Sequence, residues 1–265
     1  MIKTEFGREI VFEDLDAFLK CCPDRPPYFD FILRPKPVAI LPIVWKDLLR
    51  GTAFEEDEDG NADMYLRDYQ IECIERVVED IGGRAIVAPE PGMGKTLIGC
   101  ILSRHYGGKR LFVVPSGVVS NWMREYKRFF GKNAVIQHFD TRRSTIEEDV
   151  VITSISLFRD CPILQTHEWD FFLVDEAQNI KHDSGQGKAV CFLSPKTKAC
   201  ILMSGTPQEG SSMDLYNPLY CLYPAVFKDR ETYIKRFSIG EYNTFKKWVP
   251  KGSTNQDELN LILGT

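Results

Sequence analysis

Short apolar runs alternate with helical stretches along most of the chain. Amphipathic helices are predicted at Leu66–Ile81, which Gly82 and Gly83 end, and at Lys95–His105 and Val118–Phe130. The apolar runs are nearly continuous, which is typical of strands buried on both faces of a parallel sheet. They occupy residues 85–88, 111–114, 134–136, 150–152, 171–174 and 200–203. This alternation predicts a doubly wound α/β domain, in which ligands bind at the carboxyl ends of the strands.

Residues 1–64 have a different character. They are rich in proline, contain short alternating segments, and carry the acidic run Glu55–Asp59. Consecutive like charges repel one another and disfavour compact packing. We therefore expect a small β-containing lead-in module with a solvated acidic loop. A regulatory acidic arm that imitates nucleic acid is the alternative.

Composition places the chain among ordinary globular proteins. Its 265 residues include 43% hydrophobic and 27% charged residues, with a formal net charge of −5. No apolar stretch approaches the roughly 20 residues that a membrane-spanning helix needs, so no membrane partner is expected. The amino-terminal residues lack the apolar segment of a secretory signal. The eight cysteines form no C-x-x-C pair, which predicts reduced thiols and an intracellular protein of the cytoplasm, nucleoid or nucleus.

The strongest local motif is A-P-E-P-G-M-G-K-T at residues 88–96, between a predicted strand and a predicted helix. This is the context of a phosphate-binding loop, although Pro89 stands where G-x-x-x-x-G-K-T has its first glycine. Gly92 and Gly94 would let backbone N–H groups approach phosphate oxygens at the helix N-terminus. Lys95 would reach the β- and γ-phosphates, and the Thr96 hydroxyl would hold Mg²⁺.

Two further motifs follow predicted strands. Asp175 and Glu176 directly follow the apolar run at residues 171–174. Asp175 could bind a metal, and Glu176 could orient the attacking water. Paired carboxylates at a strand end also occur in surface turns. The run at residues 200–203 leads into Ser204-Gly205-Thr206-Pro207, a turn that could link the γ-phosphate site to its surroundings. Taken alone, this turn would be read as an ordinary loop.

A fourth motif, Leu66-Arg67-Asp68-Tyr69-Gln70, precedes the phosphate loop. The amide of Gln70 could read adenine, because it is both a donor and an acceptor. A solvent-facing glutamine on a helix is the alternative.

In this order the motifs resemble helicase superfamily 2, and specifically the Swi/Snf-type branch of DNA-translocating ATPases. Residues 114–125 are similar to that branch's P-S-x-L-x-x-N-W-x-x-E segment, and residues 151–157 to its V-I-T-T-Y motif. Residues 204–207 resemble its T-G-T-P, and residues 175–181 its D-E-A-H/Q-x-I-K. The resemblance covers about residues 65–265.

The resemblance implies an α/β RecA-like P-loop lobe whose mostly parallel sheet is flanked by helices, with ATP and Mg²⁺ as cofactors. The lobe would span residues 65–250. The expected nucleotide, metal and catalytic residues are Arg67, Gln70, Gly92, Met93, Gly94, Lys95, Thr96, Asp175 and Glu176. Gln178 and Thr206 would couple nucleotide state to DNA, and Ser116 and Thr153 would lie near a DNA backbone.

The expected partners are double-stranded DNA and a second RecA-like lobe. Residues 251–265 resemble a connector toward that lobe, which in the family supplies an arginine finger worth about 10³–10⁵ in rate. Poor ATP hydrolysis by this chain alone is therefore expected. A non-catalytic nucleotide-binding adaptor and an RNA helicase lobe are the alternatives.

Basic clusters suggest where DNA could bind, although a solvated helix face is an equally simple explanation for each. They comprise Arg124, Lys127, Arg128 and Lys132, then Arg142 and Arg143, and finally the aromatic-rich stretch 228–251.

Overall fold

The computed structural model of the chain describes residues 2–3, 9–10, 66–90, 92–180, 184–205, 212–244 and 248–263. Two short strands, β1 (Ile2–Lys3) and β2 (Glu9–Ile10), pair in antiparallel fashion. They are the described part of the predicted lead-in module. The acidic run at residues 55–59 lies outside the described residues.

A six-stranded sheet forms the centre of the fold, and all of its neighbouring strands are parallel. Its strands are β3 (Arg84–Val87), β4 (Arg110–Val114), β5 (Gln137–Phe139), β6 (Val150–Ser154), β7 (Phe171–Val174) and β8 (Ala199–Met203). Their spatial order is β3-β8-β7-β4-β6-β5. Because the strands are parallel, the loops that follow them meet at one edge.

Helices cover both faces of this sheet, as the continuous apolar runs predicted. One face is covered by α1 (Asp68–Glu75, continued as a π-helical turn Arg76–Asp80), α2 (Lys95–Tyr106) and α3 (Val119–Phe130). The other is covered by α4 (Ile155–Asp160), α5 (Pro162–Thr166), α6 (Gly185–Leu193) and α7 (Tyr216–Leu222). The predicted RecA-like α/β fold is confirmed.

The strand predicted at residues 134–136 is wrong in position. Strand β5 instead occupies Gln137–Phe139, directly after the apolar run. The Gln137 side chain accepts from the N–H of Glu147 at 3.0 Å and also contacts Thr145 O. β5 is an edge strand, so its polar side chains can reach solvent and the neighbouring loop, and apolarity is a poor guide to its bounds.

A smaller apolar cluster lies beside the sheet, around α8 (Arg230–Phe237) and α9 (Gln256–Leu263). It contains Tyr233 and Leu259, both fully buried. A hairpin of β9 (Ser238–Tyr242) and β10 (Trp248–Ser253) joins the two helices. The predicted boundary between residues 250 and 251 falls inside β10, and Leu259 ties α9 to the cluster.

Arg84, at the start of β3, is a buried cation that is held by backbone carbonyl groups. Its guanidinium group donates to four backbone carbonyl oxygens at 2.7–2.8 Å. These belong to Ser194, Thr197, Cys221 and Leu222. Two of the acceptors end α7, where the negative end of the helix dipole favours a cation.

The six described cysteines are free thiols. Among the described residues, no helix has both the length and the apolar character that crossing a bilayer requires.

Candidate functional site

The loop between β3 and α2 takes the shape that the phosphate-loop motif predicts. Gly92 and Gly94 both adopt positive φ, +85° and +77° respectively. A Cβ atom at Gly94 would lie 2.3 Å from the Gln70 Nε2 atom, so a larger residue here would displace the Gln70 amide as well as strain the backbone. Gly94 precedes the first turn of α2, and no side chain caps that turn. The N–H groups there are therefore available to an anion.

Residues of the amino-terminal motif brace this loop. The Tyr69 hydroxyl and the Gln70 amide both donate to the Met93 carbonyl oxygen, at 3.0 and 3.1 Å. Gln70 Oε1 accepts from the Arg67 N–H at 3.0 Å, while the Arg67 residue itself is exposed. Gln70 is buried, with 5% of its surface exposed, so it is not the solvent-facing glutamine of the alternative. Support of the phosphate loop by Tyr69 and Gln70 was missed at the level of sequence.

Lys95 and Thr96 begin α2 and are half-buried. The Lys95 ammonium group lies 3.3 Å from the Pro89 carbonyl oxygen, inside the loop. Its charge also acts to lower the pKa of Asp175, so the cation and this carboxylate belong to one electrostatic environment.

Asp175 and Glu176 follow β7, between the ends of β8 and β4. Asp175 Oδ2 accepts from the Trp122 indole N–H at 2.9 Å, and Oδ1 accepts from the Glu176 N–H at 2.9 Å. Burial raises the pKa of the Asp175 carboxyl, against the opposing effects of these two donors. A cation near this carboxylate would favour its charged form. Glu176 is half-buried and has φ +51°, an uncommon backbone conformation for a residue other than glycine.

Gln178 connects this carboxylate pair to the end of β8. Its Nε2 atom donates to Glu176 Oε2, and its Oε1 atom accepts from the Ser204 hydroxyl at 2.6 Å. The Ser204 N–H donates to the Val87 carbonyl oxygen at 3.2 Å, which brings the end of β3 into the same network. Two side-chain hydrogen bonds and one backbone hydrogen bond therefore connect the ends of three strands. Thr206, the other expected coupling residue, lies outside the described residues.

The two residues expected near DNA lie in different environments. Ser116 is exposed in the 3-10 turn that follows β4. Thr153 is completely buried, and its hydroxyl donates to the Phe139 carbonyl oxygen at 2.9 Å. That hydroxyl holds β5 against β6 and has no path to solvent. The neighbouring Ser154, half-buried, caps α4 instead.

The basic and aromatic residues suggested for DNA binding are not all exposed. The basic side chains of α3 are exposed, and Arg142 pairs with Asp160 at 2.6 Å. In the stretch 228–251, Tyr233 and Phe237 belong to the core, whereas Tyr242 is exposed. Phe245 lies outside the described residues.

The donor set suits a hard cation shared with a phosphate ligand. Within the described ranges, no group of three or more His, Cys, Asp or Glu side chains could enclose a metal ion. One carboxylate, Asp175, and one hydroxyl, Thr96, belong to the two elements that form this site. Mg²⁺ is usually held by one or two carboxylates together with substrate phosphates and water, so these residues fit it.

Comparison with known proteins agrees with this geometry. Residues 69–262 match the SNF2-related domain. The chain is 28% identical over 194 residues to Helicase ssl-1 of Caenorhabditis elegans, covering 65% of this chain and 8% of that protein. It is 26% identical over 207 residues to the ATP-dependent helicase YqhH of Bacillus subtilis, covering 72% of this chain and 36% of that protein.

Among solved structures, the SWI2/SNF2 ATPase core of Sulfolobus solfataricus in complex with dsDNA matches with a TM-score of 0.61 and 27% identity. The match covers 79% of this chain and 45% of that one, so the chain spans less than half the length of these relatives. The family match extends over most of the chain and includes the phosphate loop, the carboxylate pair and Ser204. The chain therefore belongs to the SNF2-related domain family of the Swi/Snf-type superfamily 2 ATPases.

Proposed function

We propose that this chain is the first, ATP-binding lobe of an ATP-driven translocase or remodelling ATPase on double-stranded DNA. The observation that supports the proposal is that four motif segments follow neighbouring strands at the same end of the sheet. The phosphate loop, Ser204, the carboxylate pair and Ser116 follow β3, β8, β7 and β4, which are neighbours in that order. The DNA-bound Sulfolobus structure supports double-stranded DNA as the partner.

In this proposal the phosphate loop binds the nucleotide. The N–H groups at the start of α2 would cradle phosphate oxygens, and the Lys95 ammonium group would bind the β- and γ-phosphates. Thr96 and Asp175 would hold Mg²⁺, which when bound would draw charge from the γ-phosphate. Exposed Arg67 and the loop-bracing Gln70 would lie toward the adenine end.

Glu176 would orient the attacking water and accept its proton. Gln178 holds one oxygen of the Glu176 carboxylate, which leaves the other oxygen for that water. Because Gln178 also contacts Ser204, a change of position at the γ-phosphate would be transmitted to the end of β8. Coupling of nucleotide state to DNA would start from this interaction, with Thr206 further along the same segment.

Calorimetric titration of ATP in the presence of Mg²⁺ tests nucleotide binding. We expect Lys95→Ala to weaken binding by about 10–100-fold, since a hydrogen bond to a charged group contributes roughly 1.5–3 kcal/mol. Lys196→Ala is the matched control. This exposed lysine precedes β8, so it lies at the end of the strands opposite to the phosphate loop. Equal affinity of both variants for ATP would refute the assigned phosphate site.

Competition between duplex DNA and duplex RNA tests the polynucleotide partner. Tighter binding of DNA supports the translocase lobe, and preference for RNA would support an RNA helicase lobe instead. Binding of ATP without binding of either duplex would favour the adaptor. ATP turnover by this chain alone is expected to be very slow, because the resemblance assigns the arginine finger to a second lobe.

A further inference from the structure

Trp122 lies on helix α3 and contacts Asp175, which follows strand β7 at the carboxyl end of the sheet. It belongs to the buried face of α3 together with Val119, Tyr126 and Phe129. Trp122 is only 2% exposed, and the centroid of its ring lies 5.7 Å from that of the Phe112 ring on β4. This packing alone would make Trp122 an ordinary core residue.

The partner of the indole N–H is what distinguishes Trp122. A buried indole N–H needs an acceptor, and a nearby backbone carbonyl usually supplies one. Trp169, which is equally buried, follows that pattern and donates to Leu164 O at 2.8 Å. Trp122 donates instead to the Oδ2 atom of Asp175, 53 positions along the chain, at 2.9 Å.

The two hydrogen bonds on Asp175 hold its carboxylate from two sides. Trp122 donates to Oδ2 from α3, and the Glu176 N–H donates to Oδ1 from the loop that follows β7. Each oxygen therefore has one fixed donor and keeps lone pairs for a further partner. Rotation of the carboxylate would break both bonds, so the pair of donors defines the orientation of the group.

We propose that Trp122 is a positioning residue that aims the Asp175 carboxylate at the cation of the nucleotide site. This inference rests on the proposed function and adds a residue that lies outside the phosphate loop and the carboxylate motif. Outer partners that orient a metal ligand typically contribute 10–100-fold to metal affinity. Trp122 should thus act on the Mg²⁺ dependence of ATP binding and not on ATP binding as such.

The experiment compares Trp122→Phe with Trp169→Phe by calorimetric titration of ATP, at several Mg²⁺ concentrations and in EDTA. Each variant removes one buried indole N–H and leaves an aromatic ring in place. We expect Trp122→Phe to raise the Mg²⁺ concentration needed for half of the affinity gain by about 10-fold or more, with ATP binding in EDTA unchanged. Trp169→Phe should have the Mg²⁺ dependence of the wild type.

A background lacking the carboxylate charge separates positioning from packing. In Asp175→Asn, the further change Trp122→Phe should have no added effect on Mg²⁺ dependence, because no carboxylate remains for Trp122 to orient. If Trp122→Phe fails to fold in urea-unfolding controls, 3-benzothienylalanine at position 122 removes the N–H donor and keeps the bicyclic shape.

The outcomes distinguish this inference from the function on which it rests. Wild-type ATP affinity that does not respond to Mg²⁺ would overturn the proposed function, and this inference with it. A normal response of the wild type that is shared by Trp122→Phe or the benzothienyl variant would overturn the positioning role alone. A loss of Mg²⁺ response in Trp169→Phe as large as that in Trp122→Phe would also overturn it, because general loosening of the core would then explain both.

Discussion

A single methyl group at Gly94 tests the geometry of the phosphate loop. Gly92 and Gly94 have similar positive φ values, +85° and +77°, in the same loop. Their surroundings differ, because a Cβ atom at Gly92 would meet nothing within 4 Å, whereas one at Gly94 would lie 2.3 Å from Gln70 Nε2. Gly92→Ala and Gly94→Ala therefore form a matched pair, with similar backbone strain and different neighbours.

The expected difference follows from the hydrogen bonds of Gln70. A left-handed conformation costs an alanine about 1–2 kcal/mol at either position. Only Gly94→Ala displaces the Gln70 amide, which makes one bond with Met93 O and one with the Arg67 N–H. At about 0.5–1.5 kcal/mol for each bond, the free energy of unfolding should fall by about 2–5 kcal/mol in Gly94→Ala and by about 1–2 kcal/mol in Gly92→Ala.

Urea unfolding without nucleotide measures these changes. The set is completed by Gln70→Ala and by the double variant Gln70→Ala/Gly94→Ala. When Gln70 is shortened, the new methyl group has room, so Gly94→Ala should then cost only the backbone strain of about 1–2 kcal/mol. Equal destabilisation by Gly92→Ala and Gly94→Ala in the wild-type background would refute the reasoning. So would a cost of Gly94→Ala that is unchanged when Gln70 is alanine.

Two further predictions concern polar groups away from the site. Arg84→Met should lower the free energy of unfolding by about 4 kcal/mol, roughly 1 for each of the four hydrogen bonds that the guanidinium group donates. Arg110→Met, at a half-buried position, should cost much less in the same urea titration, and similar costs would contradict the account of Arg84. The Asp170 carboxylate bonds Lys198 and the Lys109 N–H, and these contacts lower its pKa. Its contribution to stability is therefore present above the unfolded pKa of about 3.9 and is lost as pH falls through the lower folded pKa. The stability gap between wild type and Asp170→Asn should narrow below about pH 4, and a gap that stays constant with pH would contradict the prediction.

Much of the fold could be predicted from local patterns. Strand β7 coincides with its apolar run, and helices α2 and α3 begin and end within one residue of their predicted bounds. The edge strand β5 could not be placed, because residues of an edge strand do not need to be apolar. The burial of Thr153 could not be predicted either, because threonine occurs at both buried and exposed positions of strands.

The candidate site also combines features that consecutive residues define with contacts between residues far apart in the sequence. The phosphate loop could be recognised because its glycines, Lys95 and Thr96 are consecutive, and because their roles depend on one strand–turn–helix unit. The bracing of Met93 by Gln70 could not be recognised, because these residues are 23 positions apart and belong to different elements.

By itself, the sequence determined the fold class, the residues proposed for the phosphate loop and the carboxylate pair, and membership of a family whose motifs follow one another in this order. The tertiary structure alone decided which motifs touch. Gln178 meets Ser204 only because β7 lies beside β8, and Trp122 meets Asp175 only because α3 packs on this face of the sheet, with Trp122 against Phe112 of β4. The physical reason is that strand order and helix packing follow from burial of apolar surface over the whole domain. A hydrogen bond between distant side chains depends on that global arrangement, and no short segment of the chain encodes it.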